Sequence, residues 1–154
     1  LDYLIVDLPP GTGDEPLTIM QFLPDMDGAI IVTIPSEVSQ VVVKKAVNFA
    51  RKLGIPVVGV IENMSGFVCP KCGTYVPIFR EGGGERMARQ MGVPFLGRVP
   101  LDPRVCEASD TGEPFIVKHK DTPAAKAFLE IAEKIEAFCE GKLPEEASGS
   151  GEEA

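Results

Sequence analysis

The chain has 154 residues, 44% of them hydrophobic and 25% charged, with a formal net charge of −8. That length suffices for one domain with a real core, and the composition is ordinary for a soluble globular protein. Without a cluster of Lys and Arg the acidic balance excludes a sequence-independent grip on nucleic acid, and no apolar run approaches membrane-spanning length.

The chain starts at Leu1, not Met, already inside an apolar segment, which reads as the start of a fragment. "YLIVD" at 3–7 predicts a strand ending in Asp7. The loop "DLPPGTGD" follows, and Asp14 can cap a helix over "EPLTIMQF". "GAIIVTI" at 28–34 predicts a second strand, apolar throughout, as in a sheet covered on both faces. A helix capped by Ser36 is expected to bury Val42, Ala46, Phe49, Ala50 and Leu53, with Gly54 and Pro56 stopping it. "PVVGVI" at 56–61 and "PFLGRV" at 94–99 predict the third and fourth strands. Between them a helix after "GGGE" carries Met87 and Met91 and ends at Gly92. The last helix takes Thr122 as cap and Pro123 as first residue, with Phe128, Ile131, Ala132, Ile135 and Cys139 as its buried stripe.

Alternation of strand and helix predicts an α/β fold with a mostly parallel sheet and flanking helices. Residues 1–140 form one domain, and 141–154, rich in Gly, Ser and Glu, a disordered acidic tail. Ligands in such folds sit beyond the carboxyl ends of the strands.

An aspartate at the end of an apolar strand is costly unless its charge is used. One use is Mg²⁺ beside nucleotide phosphates, with the following glycines letting backbone N–H groups approach a phosphate oxygen. Asp7, Gly11 and Asp14 are the candidates; the plainer alternative is a capped strand-to-helix turn.

"GFVCPKCGTYVP" places Cys69 and Cys72 two residues apart, a turn that points both thiolates at one ion. A structural zinc site wants four ligands, and no second pair is nearby. Two chains related by a two-fold axis would supply four thiolates, which suit a [4Fe–4S] cluster or zinc. Cys106 and Cys139 read as buried small apolar side chains, His119 as solvated, and glycines 82–84 as a flexible lead-in to a helix. No stretch reads as a secretory signal, so reduced thiols in the cytoplasm are expected.

Taken together, "DLPPGTGD", "IENMSGFVCPKCG", "FREGGGERMA" and "LGRVPLDP" resemble the Mrp family of iron–sulfur cluster carrier ATPases, relatives of MinD among the deviant P-loop NTPases. The resemblance covers about residues 1–140. It implies a Walker B role near Mg²⁺ for Asp7, and a γ-phosphate contact for Gly11 with Asp14 in the same switch loop. It implies adenine recognition by Asn63, with Pro100 and Asp102 lining the base. Cys69 and Cys72 would ligate a [4Fe–4S] cluster shared across a homodimer, with ATP governing its transfer to apo iron–sulfur proteins. No membrane or nucleic-acid partner is implied. The family's Gly-Lys-Ser/Thr P-loop has no counterpart here, since the one Gly-Lys, at 141–142, is followed by Leu143. The chain therefore resembles the C-terminal portion of such a protein and is expected to be inactive as an ATPase alone, with "YLIVD" lacking its main neighbour. A zinc-bridged structural dimer and a MinD-like nucleotide switch without a cluster are the competing readings.

Overall fold

A computed structural model describes residues 1–9, 13–23 and 25–141. In chain order the elements are α1 (Asp14–Phe22), β1 (Ala29–Thr33), α2 (Glu37–Lys52), β2 (Val57–Val68), β3 (Tyr75–Val76), α3 (Gly83–Met91), β4 (Phe95–Leu101), α4 (Pro103–Thr111), α5 (Phe115–Lys118) and α6 (Pro123–Cys139). β1 and β4 flank β2, both parallel to it, and β3 pairs antiparallel with the far end of β2. The predicted α/β class is observed, and parallel strands put all their carboxyl ends on one rim.

The sheet is covered on both faces. On one side Ile31, Val60 and Val93 pack with Val43 and Val47 of α2 and with Met87 and Ala88 of α3. On the other, Val58, Leu96 and Val99 pack with Ala108 of α4, Phe115 of α5 and Ala124, Ala125 and Ile131 of α6. The ladders skip one residue at Val58 in β2 and one at Leu96 in β4. Each skipped residue is a bulge whose side chain enters the second core.

Several sequence expectations need correction. Residues 3–7 form no strand: 1–9 pairs with none of the described strands, and Leu4 and Ile5 stand exposed. An extended segment holds its shape only when a neighbour takes its N–H and C=O groups, and none of the described strands does so here. The buried face of α2 is rotated by about one residue. Val43, Val47 and Ala50 are buried, while Val42 and Leu53 are exposed. Three consecutive valines leave the phase of a helical stripe undetermined by apolarity alone. In α6, Ile131 is buried and Ile135 packs on the core, but Ala132 is exposed and Phe128 is partly exposed, its ring edge-on to that of buried Phe115. Ala124 and Ala125 of the first turn are buried as well.

The helix signals held where chemistry was explicit. Ser36 Oγ accepts from Ser39 N–H, and Thr122 Oγ1 accepts from Ala125 N–H. Gly92 ends α3 in the left-handed conformation. Asp14 is instead the first residue of α1, after Gly13 at the cap position. The expected tail lies outside the described residues from 142 onward.

Candidate functional site

The rim at the carboxyl ends of β1, β2 and β4 gathers most of the candidate residues. β2 runs past its predicted end at Ile61 and continues through Glu62, Asn63 and Ser65 to Val68, directly before Cys69. The polar residues conceal the strand in the sequence but serve its end. β2 and β3 form a hairpin whose tip is the sequence from Cys69 to Thr74. Cys69 N–H donates to Thr74 O at 2.9 Å, and Gly73 N–H to Cys69 O at 2.8 Å. The Tyr75 ring covers Gly66, whose φ of 78° lies in the left-handed region. A side chain at 66 would collide with that ring and strain the backbone.

Both cysteines of the pair are free thiols at this tip, Cys72 exposed and Cys69 half-buried. Cys72 Sγ and Thr74 Oγ1 are hydrogen-bonded at 3.2 Å. Hydrogen bonds from the Thr74 side chain first, then its backbone, then Cys69 pull the Cys72 thiol below its ordinary range. A thiol so biased toward thiolate is a better nucleophile and metal ligand at neutral pH. Thr74→Val should therefore raise the pH at which Cys72 becomes reactive. Iodoacetamide labelling of the metal-free chain across pH, read by mass spectrometry, checks this, and an unchanged midpoint contradicts it. Among the described residues no three His, Cys, Asp or Glu side chains converge in a set that could hold a metal ion. The hairpin tip thus presents two free thiols.

Behind the hairpin lies a group that sequence reasoning missed. Glu62 is fully buried. Its Oε1 accepts from Ser65 Oγ at 2.5 Å and Gly82 N–H at 2.8 Å, and its Oε2 accepts from Gly84 N–H at 2.6 Å. Arg98 Nε lies 3.7 Å from Oε1, and Arg98 also pairs with Glu85. The glycines read as a flexible lead-in are thus a packed turn that presents N–H groups to a carboxylate at the amino end of α3. A Cβ at Gly83 would strike the carbonyl of Pro35, and one at Gly84 would lie 3.1 Å from both Glu62 Cβ and Thr33 Cγ2. A lone glutamate at the end of an apolar run, and three successive glycines starting 20 positions further on, were the available signals.

Of the other candidates, Asn63, Pro100 and Asp102 lie on the same rim, while Asp7 and Asp14 lie outside the strands that form it. Asn63 pairs with Val99 in the ladder, and its Oδ1 accepts from Met64 N–H at 2.9 Å. Asp102 caps α4 and is gripped by Arg104, with Oδ1 to Nε at 2.8 Å and Oδ2 to Nη2 at 2.6 Å. The Arg104 hydrogen bonds, opposed by partial burial, hold the Asp102 carboxyl below the usual carboxylate range. Pro100, Asp102 and Arg104 share a cavity of about 550 Å³ with Phe67, Val68 and Pro70 of the hairpin. Asp7 is exposed on the unpaired segment and Asp14 is exposed at the start of α1. Gly11 lies outside the described residues. Cys106, expected to be buried, is exposed, 3.9 Å from Asp110 Oδ2, because α4 turns that side chain outward. Cys139 is half-buried, and burial raises its thiol. His119 is half-buried too, its ring 5.5 Å from that of Phe115.

A profile described as the NUBPL iron-transfer P-loop NTPase family, within ParA, matches residues 1–136. The chain belongs to this family. An iron-sulfur cluster carrier protein of Saccharolobus solfataricus is 58% identical over 135 residues, covering 88% of this chain and 46% of that protein. One of Methanocaldococcus jannaschii is 56% identical over 142 residues, covering 92% and 48%. The chain therefore spans about half the length of the curated relatives it matches. Among solved structures, a nucleotide-binding protein from Archaeoglobus fulgidus in complex with ADP superposes with a TM-score of 0.68 at 40% identity, over 83% of this chain and 51% of that one. The cell division ATPase MinD of Pyrococcus furiosus gives 0.58 at 25% identity, over 73% and 43%. The NUBPL-family chain thus has the α/β fold of part of a MinD-like P-loop NTPase, as the resemblance implied. No helix among its described residues is long and apolar enough to cross a membrane.

Proposed function

We propose that this chain is the cluster-bearing portion of an iron–sulfur carrier, which binds a [4Fe–4S] cluster as cargo between two copies and delivers it to apo-proteins. The observation that carries this reading is the Cys69–Cys72 pair. Two thiols sit at an accessible hairpin tip, one biased toward thiolate, with no third ligand converging on them among the described residues. Two thiolates per chain half-fill the four-Cys set of such a cluster, and a two-fold axis completes it. The carrier names of the relatives support the same cargo. An exposed tip suits release, since a cluster meant to stay would be enclosed.

Nucleotide control belongs to the full-length protein. Asn63, Pro100 and Asp102 are the candidates for the base, and Asp7, Gly11 and Asp14 for Mg²⁺ and the phosphates. The Archaeoglobus fulgidus relative, a nucleotide-binding protein in complex with ADP, supports nucleotide binding by the whole protein. With no Gly-Lys-Ser/Thr turn to cradle β- and γ-phosphates, this chain by itself is expected not to hydrolyse ATP. Delivery is tested by mixing the anaerobically reconstituted chain with an apo-protein of four-iron type. The acceptor should gain its visible absorption as the carrier loses it. A cluster that stays on the chain through hours of mixing would overturn the carrier reading.

A further inference from the structure

Glu62 and the two thiols are linked by the path of the chain. Glu62 lies at the start of an excursion, residues 63–81, that rises through the end of β2, turns at Cys69 and Cys72, descends through β3 and returns to α3. The partners of its carboxylate are at the excursion's other end: Gly82 is 20 positions and Gly84 22 positions further along the chain. One buried carboxylate therefore closes the loop that bears both cysteines. Ser65, inside the excursion, donates to the same oxygen as Gly82. Each hydrogen bond to the carboxylate comes from a hydroxyl or backbone N–H donor, and the Arg98 guanidinium stands 3.7 Å away.

A second observation marks the same two ends. Two non-glycine residues have positive φ among the described residues, Met64 at 54° and Arg80 at 69°. One stands just inside each end of the excursion. Such conformations persist only where the surroundings over-determine them. An outer tie lies above the clasp: the Tyr75 ring of the descending leg covers Gly66 of the rising leg, and Tyr75 Oη is held by Glu81.

We propose that Glu62 is a positioning residue for the Cys69–Cys72 pair: its carboxylate clasps both ends of the 63–81 excursion and so fixes where the two thiols are held above the rim. The role of the thiols themselves rests on the carrier reading above. Glu62→Gln is the informative variant. It keeps the shape, but its amide places a donor against one of the glycine N–H groups, so one strand-to-helix bond is lost and a buried N–H is left unpaired.

The test is run on the metal-free full chain with two readouts. The first is amide hydrogen exchange, compared between 66–76 and the core elements β1 and α2. The second is the affinity of phenylarsine oxide, which bridges two neighbouring thiols. Glu62→Gln should raise exchange in 66–76 by about tenfold, leave β1 and α2 unchanged, and weaken the arsenical by a similar factor. Ile31→Val, a core variant of comparable melting temperature, should do neither. If Glu62→Gln fails to fold, Ser65→Ala removes one donor from the same carboxylate and should give a local rise of about threefold. Exchange that rises equally everywhere, or an arsenical affinity that falls equally in Ile31→Val, would make Glu62 an ordinary stability residue and overturn the proposal. Unchanged exchange in 66–76 would do the same. These readouts involve no iron. A wild-type chain that takes up no cluster would sink the carrier reading and leave the clasp result standing.

Discussion

Replacing either Cys69 or Cys72 by alanine should abolish iron–sulfur uptake rather than halve it. In a site shared across a two-fold axis each substitution removes two ligands at once, one from each copy. Loss of a mere outer partner of a metal ligand costs about 10- to 100-fold in affinity, so loss of two direct ligands should exceed that. Cys106→Ala and Cys139→Ala are the controls and should bind as wild type, because neither thiol lies in the hairpin. Anaerobic iron–sulfide reconstitution followed by iron and sulfide analysis reads the difference. A Cys72→Ala chain that retains half its iron would mean that the cluster, or a single iron, is held within one chain.

Gly83→Ala should be among the most destabilising single changes in the domain. Its Cβ would lie against the backbone of Pro35, 3.0 Å from the carbonyl carbon and 3.2 Å from Cα, closer still to the oxygen. Backbone cannot swing away as a side-chain end can, so α3 must shift. A shift of α3 pulls Gly84 N–H away from the buried Glu62 carboxylate. Overpacking of this kind costs about 1–3 kcal/mol, and a bond lost from a buried charged group about 1.5–3 kcal/mol. For a chain of this size each kcal/mol lowers the melting temperature by about 2–4 °C. Gly54→Ala is the comparison. Nothing lies within 4 Å of its Cβ, and only its φ of 73° opposes the substitution, at a cost of about 1–2 kcal/mol. Thermal unfolding by circular dichroism should rank Gly83→Ala well below Gly54→Ala. A Gly83→Ala chain that melts with wild type would show that the Gly82–Gly84 turn is loose.

Most of the architecture was legible because its signals are local. Apolar β-branched runs marked β1, the first half of β2 and β4, and Ser36, Thr122 and Gly92 marked helix ends by hydrogen-bonding chemistry that needs no tertiary partner. "LDPRV" carried the same kind of signal, a cap at Asp102 and a proline at the first position of α4, and it went unused as a helix start. The second half of β2 was not legible, since Glu62, Asn63 and Ser65 belong in a strand only once the glycine amides of α3 are in place to receive Glu62. Residues 3–7 show the converse. Their pattern is that of a strand, but pattern does not supply a neighbour to pair with. At the site, spacing alone identified the cysteine pair. The bias of Cys72 by Thr74 and the clasp behind it depend on side chains brought together by folding.

Sharing of one cluster by two chains through Cys69 and Cys72 is read out by native mass spectrometry of the anaerobically reconstituted chain, with iron and sulfide quantified on the same sample. The expected species is a dimer carrying four irons and four sulfides, about two irons per chain, which reverts to monomer when the cluster is removed. A monomer that holds iron, or a dimer that takes up tightly bound zinc and no iron, would contradict it.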